Sequence, residues 1–441
     1  MQSKDVILYY YFRINNYMKR GILYWLCMFS AIQLNALHRN ISVLFIGNSY
    51  TAVNNLPLLV SNIAAAGGDS VAWDVSAPGG YTLQMHCADT NTINKIHERA
   101  WDYVVLQEQS QLPSLQPDSV DSTTIPYALF LDSVIHANNL CTQIVFYETW
   151  GRKYGDASNC AAYPPVCTYD GMQQRLMESY KLMADTCHAI VAPVGEAFRY
   201  CIAFDSTVNL YMTDYSHPSL EGSFLAASVF YNIFFHRNAN GNTYDPGLTQ
   251  IQPYMLHLVA WSTVTDTLNF WNLGIYEPWA QFTWHEVPGC VGEFFGSSNS
   301  NFSHYWDFGD STTSADPNPV HQYMHSRYYP VVHIVYDSCS SDTFRLSNNM
   351  VCNSAVNKYE TFNVEVYPDP ANDLLNISNA MTGIKTIKVF NMIGDEVDEM
   401  EIGGGSNKFT FSVSGYSLGI YFLDVFDSEG RCSTLKFAVM R

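Results

Sequence analysis

At 441 residues the chain is too long for one ordinary core, and a size of roughly 150 residues per domain predicts about three modules. Apolar residues make up 47% and charged residues 14%, which excludes a disordered chain. A formal net charge of -19 excludes nucleic acid as a partner, because phosphate backbones are held by clustered Lys and Arg.

Lys19 and Arg20 precede an apolar run from Gly21 to Leu34, and Leu34-Asn35-Ala36 offers cleavage after Ala36. Residues 1–36 therefore read as a secretory signal peptide, with Met18 a natural alternative start. The run is shorter than the roughly 20 apolar residues that span a bilayer, and no later segment competes with it, so no stable membrane span is expected. Once Cys27 leaves with the signal, ten of the 11 cysteines remain in an oxidising compartment. Their spacings match no zinc pattern, and no metal or cofactor is expected. Cys160 and Cys167, which bracket a Pro-Pro loop, are the expected disulfide; spacing does not pair the other eight.

From Ile41 to about Phe235, short β-branched runs alternate with longer amphipathic stretches, as parallel βα units do. The expected strands are Ser42–Ile46, Val71–Ser76, Tyr103–Leu106, Gln143–Glu148 and Ala189–Ala192. The expected helices are Leu56–Ala66, Thr92–Arg99, Ile125–Asn138, Asp170–Asp185 and Ser219–His236, with one more helical stretch near Gln252–Trp271. Five strands and five helices predict a three-layer α/β/α domain whose site lies beyond the carboxyl ends of the strands. After Pro278 the pattern changes to short alternating strands with Gly, Ser, Asn and Pro turns, which predicts all-β sandwiches.

The first strand ends in Ile46-Gly47-Asn48-Ser49-Tyr50-Thr51, which displays Ser49 ahead of a helix. A serine hydroxyl needs a base within hydrogen-bond reach, and that base needs an orienting group. Thr213-Asp214-Tyr215-Ser216-His217-Pro218 supplies both, just before the last helix of the α/β segment. Lone His and Cys elsewhere, such as His86, Cys187 and His188, read as core residues. Glu148, Trp150 and Arg152, at the carboxyl end of the fourth strand, are expected to line the substrate cleft.

Gly-Asn-Ser near the start and Asp-x-x-His-Pro near the end, in that order, resemble the SGNH (GDSL-like) serine hydrolases over residues 40–272, in a flavodoxin-like α/β/α fold. The resemblance implies Ser49 as nucleophile with Asp214 and His217 as its partners. It also implies an oxyanion site made by the N–H of Ser49, a glycine of the second block and an amide of the third. In Pro78-Gly79-Gly80-Tyr81 the expected glycine is Gly80, with Gly79 close behind. The third block departs from the family's Gly-x-Asn-Asp, carrying Gln107-Glu108-Gln109-Ser110-Gln111 instead. Gln109 is the expected donor and Gln107 the second choice. This departure places the chain in a divergent branch.

Tyr305-Trp-Asp-Phe-Gly-Asp, followed by Asp316-Pro-Asn-Pro-Val-His-Gln-Tyr323, resembles a polycystic-kidney-disease-type (PKD) repeat over 279–353. Val364-Glu-Val-Tyr-Pro-Asp-Pro-Ala-Asn372 and the strands that follow resemble the C-terminal sorting domain of type IX secretion over 359–441, with Asp369 where Asn is usual. Together these resemblances imply an esterase secreted or held on the outer surface of a Gram-negative bacterium. Its partners would be the type IX machinery and a small ester or acylated glycan substrate. The alternative is an SGNH-fold adhesion or carbohydrate-binding protein that has lost catalysis.

Overall fold

A computed structural model describes residues 39–350, 364–379, 383–392, 395–402, 408–428 and 431–440. The expected signal peptide, with Met18 and Cys27, and also Cys352 lie outside the described residues.

The first five strands are β1 (Asn40–Ile46), β2 (Ser70–Ser76), β3 (Tyr103–Leu106), β4 (Gln143–Tyr147) and β5 (Ile190–Ala192), in the sheet order β2-β1-β3-β4-β5. Strand β1 pairs in parallel with β3, β3 with β4, and β4 with β5. Val43 to Ile46 and all of β3 are buried, which explains their unbroken apolar runs: strands covered on both faces do not alternate.

The helices are α1 (Ser49–Ala52), α2 (Leu56–Ala66), α3 (Leu83–Ala88), α4 (Thr90–His97), α5 (Pro117–Thr123), α6 (Ile125–Asn138), α7 (Tyr169–Thr186), α8 (Val194–Phe204), α9 (Leu220–Phe235) and α10 (Pro253–Thr265). Helix α9 packs against α2, α8 and α10, while α6 packs against α3, α4 and α7, so the sheet lies between two helical layers. Ser219 caps α9 by accepting the N–H of Gly222, and the helix stops where His236 turns left-handed. Its Phe230 and Phe234 pack edge-on against Phe45 of β1. Burying one such ring stabilises by about 2 kcal/mol.

Helices α1, α3, α5 and α8 were not expected from the sequence. Pro193 and Gly195 punctuate the start of α8 and hide its period. Gly195 is there because a Cβ would lie 2.3 Å from the carbonyl oxygen of Thr149 and 2.8 Å from Glu148 Oε1. The helix closes directly on β4.

Past Trp271 no helix occurs among the described residues. Strands β6 (Phe282–Val287), β7 (Val291–Gly296), β8 (Ser303–Asp307), β9 (Thr313–Ser314), β10 (Val320–Gln322), β11 (Arg327–Tyr336) and β12 (Ser341–Met350) form sheets in the orders β10-β7-β6 and β12-β11-β8-β9. Trp306 fills their shared core, stacked 3.7 Å from His333, and Gly309 supplies the positive φ of the Asp307–Asp310 turn. Strands β13 (Val364–Tyr367), β14 (Leu374–Asn379), β15 (Ile384–Asn391), β16 (Glu396–Glu401), β17 (Lys408–Ser412), β18 (Gly419–Asp427) and β19 (Cys432–Val439) repeat the plan in sheets β13-β14-β17 and β16-β15-β18-β19. Asp369, where the resemblance expects Asn, accepts the backbone N–H of Ala438 at 2.8 Å.

Cys160 and Cys167 are bonded as expected, and Cys141 is bonded to Cys339, joining the α/β segment to the first sandwich. Cys87, Cys187, Cys201 and Cys432 are free thiols. Beside the sandwich, His236 Nδ1 lies 3.0 Å from Asp342 of β12 as an ion pair, and its Nε2 lies 3.3 Å from Glu277, which accepts the Tyr103 hydroxyl. Burial disfavours the imidazolium, but Asp342 and Glu277 outweigh that and raise His236 to about 9.

Candidate active site

Strand β1 delivers Gly47 to the sheet's carboxyl end. A Cβ there would lie 2.5 Å from the Thr51 hydroxyl and 2.6 Å from Gln107 Oε1, so only glycine fits the crossing. Asn48 then caps α1 by accepting the Tyr50 N–H. Ser49 is the first residue of that helix, where backbone N–H groups have no intrahelical acceptor.

His217 Nε2 lies 2.8 Å from Ser49 Oγ, and His217 Nδ1 lies 2.5 Å from Asp214 Oδ2. The other oxygen of Asp214 accepts the backbone N–H groups of Ser216 and His217. Burial would raise the Asp214 carboxyl, but the ring and these two N–H groups hold it below the ordinary carboxylate range. The carboxylate therefore stays charged and fixes the ring. The arrangement offers a hydroxyl, a base positioned to accept its proton and an anion to steady the resulting imidazolium.

Three groups keep the His217 turn against the serine. The Tyr50 and Ser216 hydroxyls share a 2.6 Å hydrogen bond. Trp150 donates to the Ser216 carbonyl while its ring is stacked between Tyr50 and Phe198. Asn54, in the left-handed region that Asn tolerates, donates to the carbonyls of Pro218 and Ser219 and to the Ser223 hydroxyl.

Among the expected oxyanion residues, Gly80 has φ +74, a conformation that favours glycine, whereas Gly79 has no positive φ, so Gly80 stays the candidate of the two. The carbonyl of its neighbour Tyr81 accepts from Asn48 Nδ2 at 2.9 Å, which ties the glycine block to the residue before Ser49. Gln107 is wholly buried: Oε1 accepts the Asn48 N–H and the Thr51 hydroxyl, and Nε2 donates to the Glu108 carbonyl. It supports the turn that carries Ser49, and Gln109 stays the candidate donor. Gln109 Oε1 accepts the Gln111 N–H at 2.9 Å, and Nε2 lies 3.3 Å from Gln111 Oε1, with a second hydrogen still to donate. Gln111 is held in turn by Asp156 and Ser158, just ahead of the loop closed by Cys160–Cys167.

Sequence reasoning passed over Glu108. Its Oε1 accepts the N–H of both Leu83, at the start of α3, and Gln109, and burial raises its carboxyl to about 7. His86 is the expected core histidine, and it donates to the Gly47 carbonyl at 2.7 Å. Glu148 and Trp150 do not line a cleft. Both are fully buried, Glu148 between Gln173 and the Glu196 N–H, while Arg152 remains half-buried beside Asp156. Side chains that leave β4 toward α7 and α8 meet those helices before they meet solvent.

The parallel sheet between two helical layers, with Ser49 after its first strand and the Asp214–His217 turn ahead of α9, is the three-layer α/β/α arrangement that the sequence resemblance implies. Among solved structures, a protein of Slackia heliotrinireducens assigned to the SGNH hydrolases is 29% identical, with 44% of this chain and 99% of that one covered and a TM-score of 0.37. A DUF4886 family protein from Bacteroides uniformis is 19% identical, covering 51% and 95%, with a TM-score of 0.43. The PKD1 domain of the Vibrio cholerae metalloprotease PrtV is 29% identical, covering 16% and 93%, with a TM-score of 0.15. A search of curated proteins gives no match. Residues 365–440 match the family model described as the secretion system C-terminal sorting domain.

This segment is a secretion sorting domain. It falls on the strands β13 to β19 that the type IX resemblance picked out, and it marks the protein for export or display on the outer cell surface. Among the described residues, no helix is long and apolar enough to cross a membrane. The sorting domain makes the secretion machinery a partner of this chain.

Proposed function

We propose that residues 40–272 are a carboxylic ester hydrolase working through an acyl-enzyme on Ser49. Residues 279–353 are then a PKD-type sandwich, and 359–441 the sorting domain. The observation that carries this reading is the continuous chain from Ser49 Oγ to His217 Nε2, at 2.8 Å, and from His217 Nδ1 to Asp214. His217 takes the Ser49 proton as Oγ attacks the ester carbonyl. The N–H groups of Ser49 and Gly80 and the Gln109 amide receive the oxyanion, and His217 then protonates the departing alcohol. Water, deprotonated by the same ring, hydrolyses the acyl-enzyme. Export to the cell exterior fits a substrate met outside the cell, and an acylated glycan is the class we propose. The test is turnover of 4-nitrophenyl acetate by the full chain and by Ser49→Ala. A Ser49-dependent rate is expected; equal rates from the two proteins would remove the hydrolase reading and favour a binding protein.

A further inference from the structure

Two exposed rings stand beside the catalytic turn. Tyr215 lies between Asp214 and His217 and is 48% exposed; Tyr154 is 66% exposed, and the ring centroids are 4.9 Å apart, edge to face. Large exposed aromatics on a rigid frame mark recognition surfaces. This frame is rigid for identifiable reasons.

Tyr154 is at the tip of a turn closed by the Gly155 N–H on the Arg152 carbonyl. Gly155 has φ +76, and a Cβ there would lie 2.5 Å from the backbone of Cys167, so the turn is pressed against the disulfide-closed segment. Tyr215 has φ +61, which is unfavourable for a bulky side chain. The conformation is held by its N–H on the Met212 carbonyl and by its own carbonyl, which accepts the Lys153 N–H at 3.0 Å. Tyr211 OH donates to the Gly151 carbonyl and closes the two turns on each other. The sequence thus keeps a strained, solvent-facing tyrosine one residue from its catalytic carboxylate.

The chemistry assigns a side to this pair. The general acid must reach the leaving oxygen, so the alcohol portion of an ester lies over His217, and the acyl portion lies toward Gly80 and Gln109. Tyr215 shares the His217 turn and therefore flanks the alcohol. The ammonium of Lys153, 5.9 Å from the Tyr215 ring centre and within 3.3 Å of Asn209 Oδ1, adds polar groups at the edge of the rings. An exposed ring face with a second ring standing edge-on beside it, rimmed by hydrogen-bonding groups, makes an angled apolar corner that suits a pyranose, whose C–H face is apolar and whose rim is hydroxyl. Resting on the hydrolase reading above, we infer that Tyr154 and Tyr215 form a subsite for a sugar ring of the alcohol portion, making the substrate an acylated glycan.

The inference is tested with partially acetylated xylo-oligosaccharides and with triacetin, an ester whose alcohol has no ring, by following acetate release. In Tyr154→Ala the ratio of kcat/KM on the oligosaccharide to kcat/KM on triacetin is expected to fall about tenfold, mostly through KM, the size of a lost ring contact. Tyr215→Phe, which keeps the ring, should hold the ratio near that of the native chain, while Tyr215→Ala should lower it. A ratio unchanged in Tyr154→Ala and Tyr215→Ala overturns the subsite and leaves the hydrolase intact. Absence of Ser49-dependent release from either ester overturns the hydrolase reading instead. Calorimetry then decides the platform separately, with the unacetylated oligosaccharide titrated into Ser49→Ala. Weaker binding when Tyr154→Ala is added sustains a sugar platform, and equal binding removes it.

Discussion

Leu83 donates its backbone N–H to Glu108 Oε1 over 3.1 Å, a bond that fastens the helix following Gly80 to the loop that carries Gln109. One carboxyl oxygen thus sets the spacing between the two loops proposed to meet the oxyanion. Its carboxyl is raised from 4.5 to about 7 by burial. Between those values the folded chain holds a proton that the unfolded chain has released, so stability falls as pH rises through 7, by about 3 kcal/mol in all. Glu108→Gln keeps an acceptor for both N–H groups and cannot ionise. Its melting temperature is expected to change less than the native one between pH 5 and 8, and scanning calorimetry at several pH values checks this.

Gln109→Ala removes the side-chain donor proposed for the oxyanion. Turnover should drop about 10²- to 10³-fold, with the melting temperature within a degree or two of the native chain, because the residue is half-buried and bonds only its own loop. Steady-state kinetics on 4-nitrophenyl acetate reads the effect.

Trp150→Ala should act through the fold. The ring is fully buried between Tyr50 and Phe198, and its loss is expected to cost about 4 kcal/mol in urea unfolding. Activity should fall in the surviving folded fraction as well, since the Ser216 carbonyl loses its donor.

The junction with the first sandwich has an alkaline limit. His236 is raised from 6.5 to about 9, so the stability it contributes is fully present below 6.5 and is lost as pH climbs through 9, on the order of 3 kcal/mol. His236→Gln should flatten the melting curve over that window and lower stability at neutral pH.

Cys141 and Cys339 close a loop of 198 residues. The double variant Cys141→Ser/Cys339→Ser is expected to lose about 3 kcal/mol, and the native chain should lose at least as much under reducing agent, which opens Cys160–Cys167 as well. Proteolysis near Pro278 then becomes detectable by mass spectrometry.

The parallel sheet was legible because β1 and β3 are buried on both faces and so spell out apolar runs, and because α9 has its Ser219 cap and a long apolar sequence, buried on every side. Helix α8 was not, since Gly195 is selected by contact with Thr149 and Glu148 from other parts of the chain. At the site, Ser49, Asp214 and His217 announce themselves by order and spacing. Glu108 does not, because its role depends on Leu83, 25 residues away. Gln107 and Gln109 carry the same amide, and the sequence only ranks Gln109 ahead of Gln107; burial of Gln107 and the half-buried side chain of Gln109 are what distinguish them. Trp150 was misread because a position after a strand's carboxyl end says nothing about which layer the side chain enters.

The bond between Cys141 and Cys339, with His236 ion-paired to Asp342 nearby, also bears on what happens along a polymer. A module on a loose tether lets an enzyme sample every position within reach. Here Cys141–Cys339 ties the sandwich to the α/β segment, so on the hydrolase reading proposed above a chain gripped by the first would be presented to Ser49 in a constant register, and the pattern of groups removed would follow that spacing like the pitch of a comb.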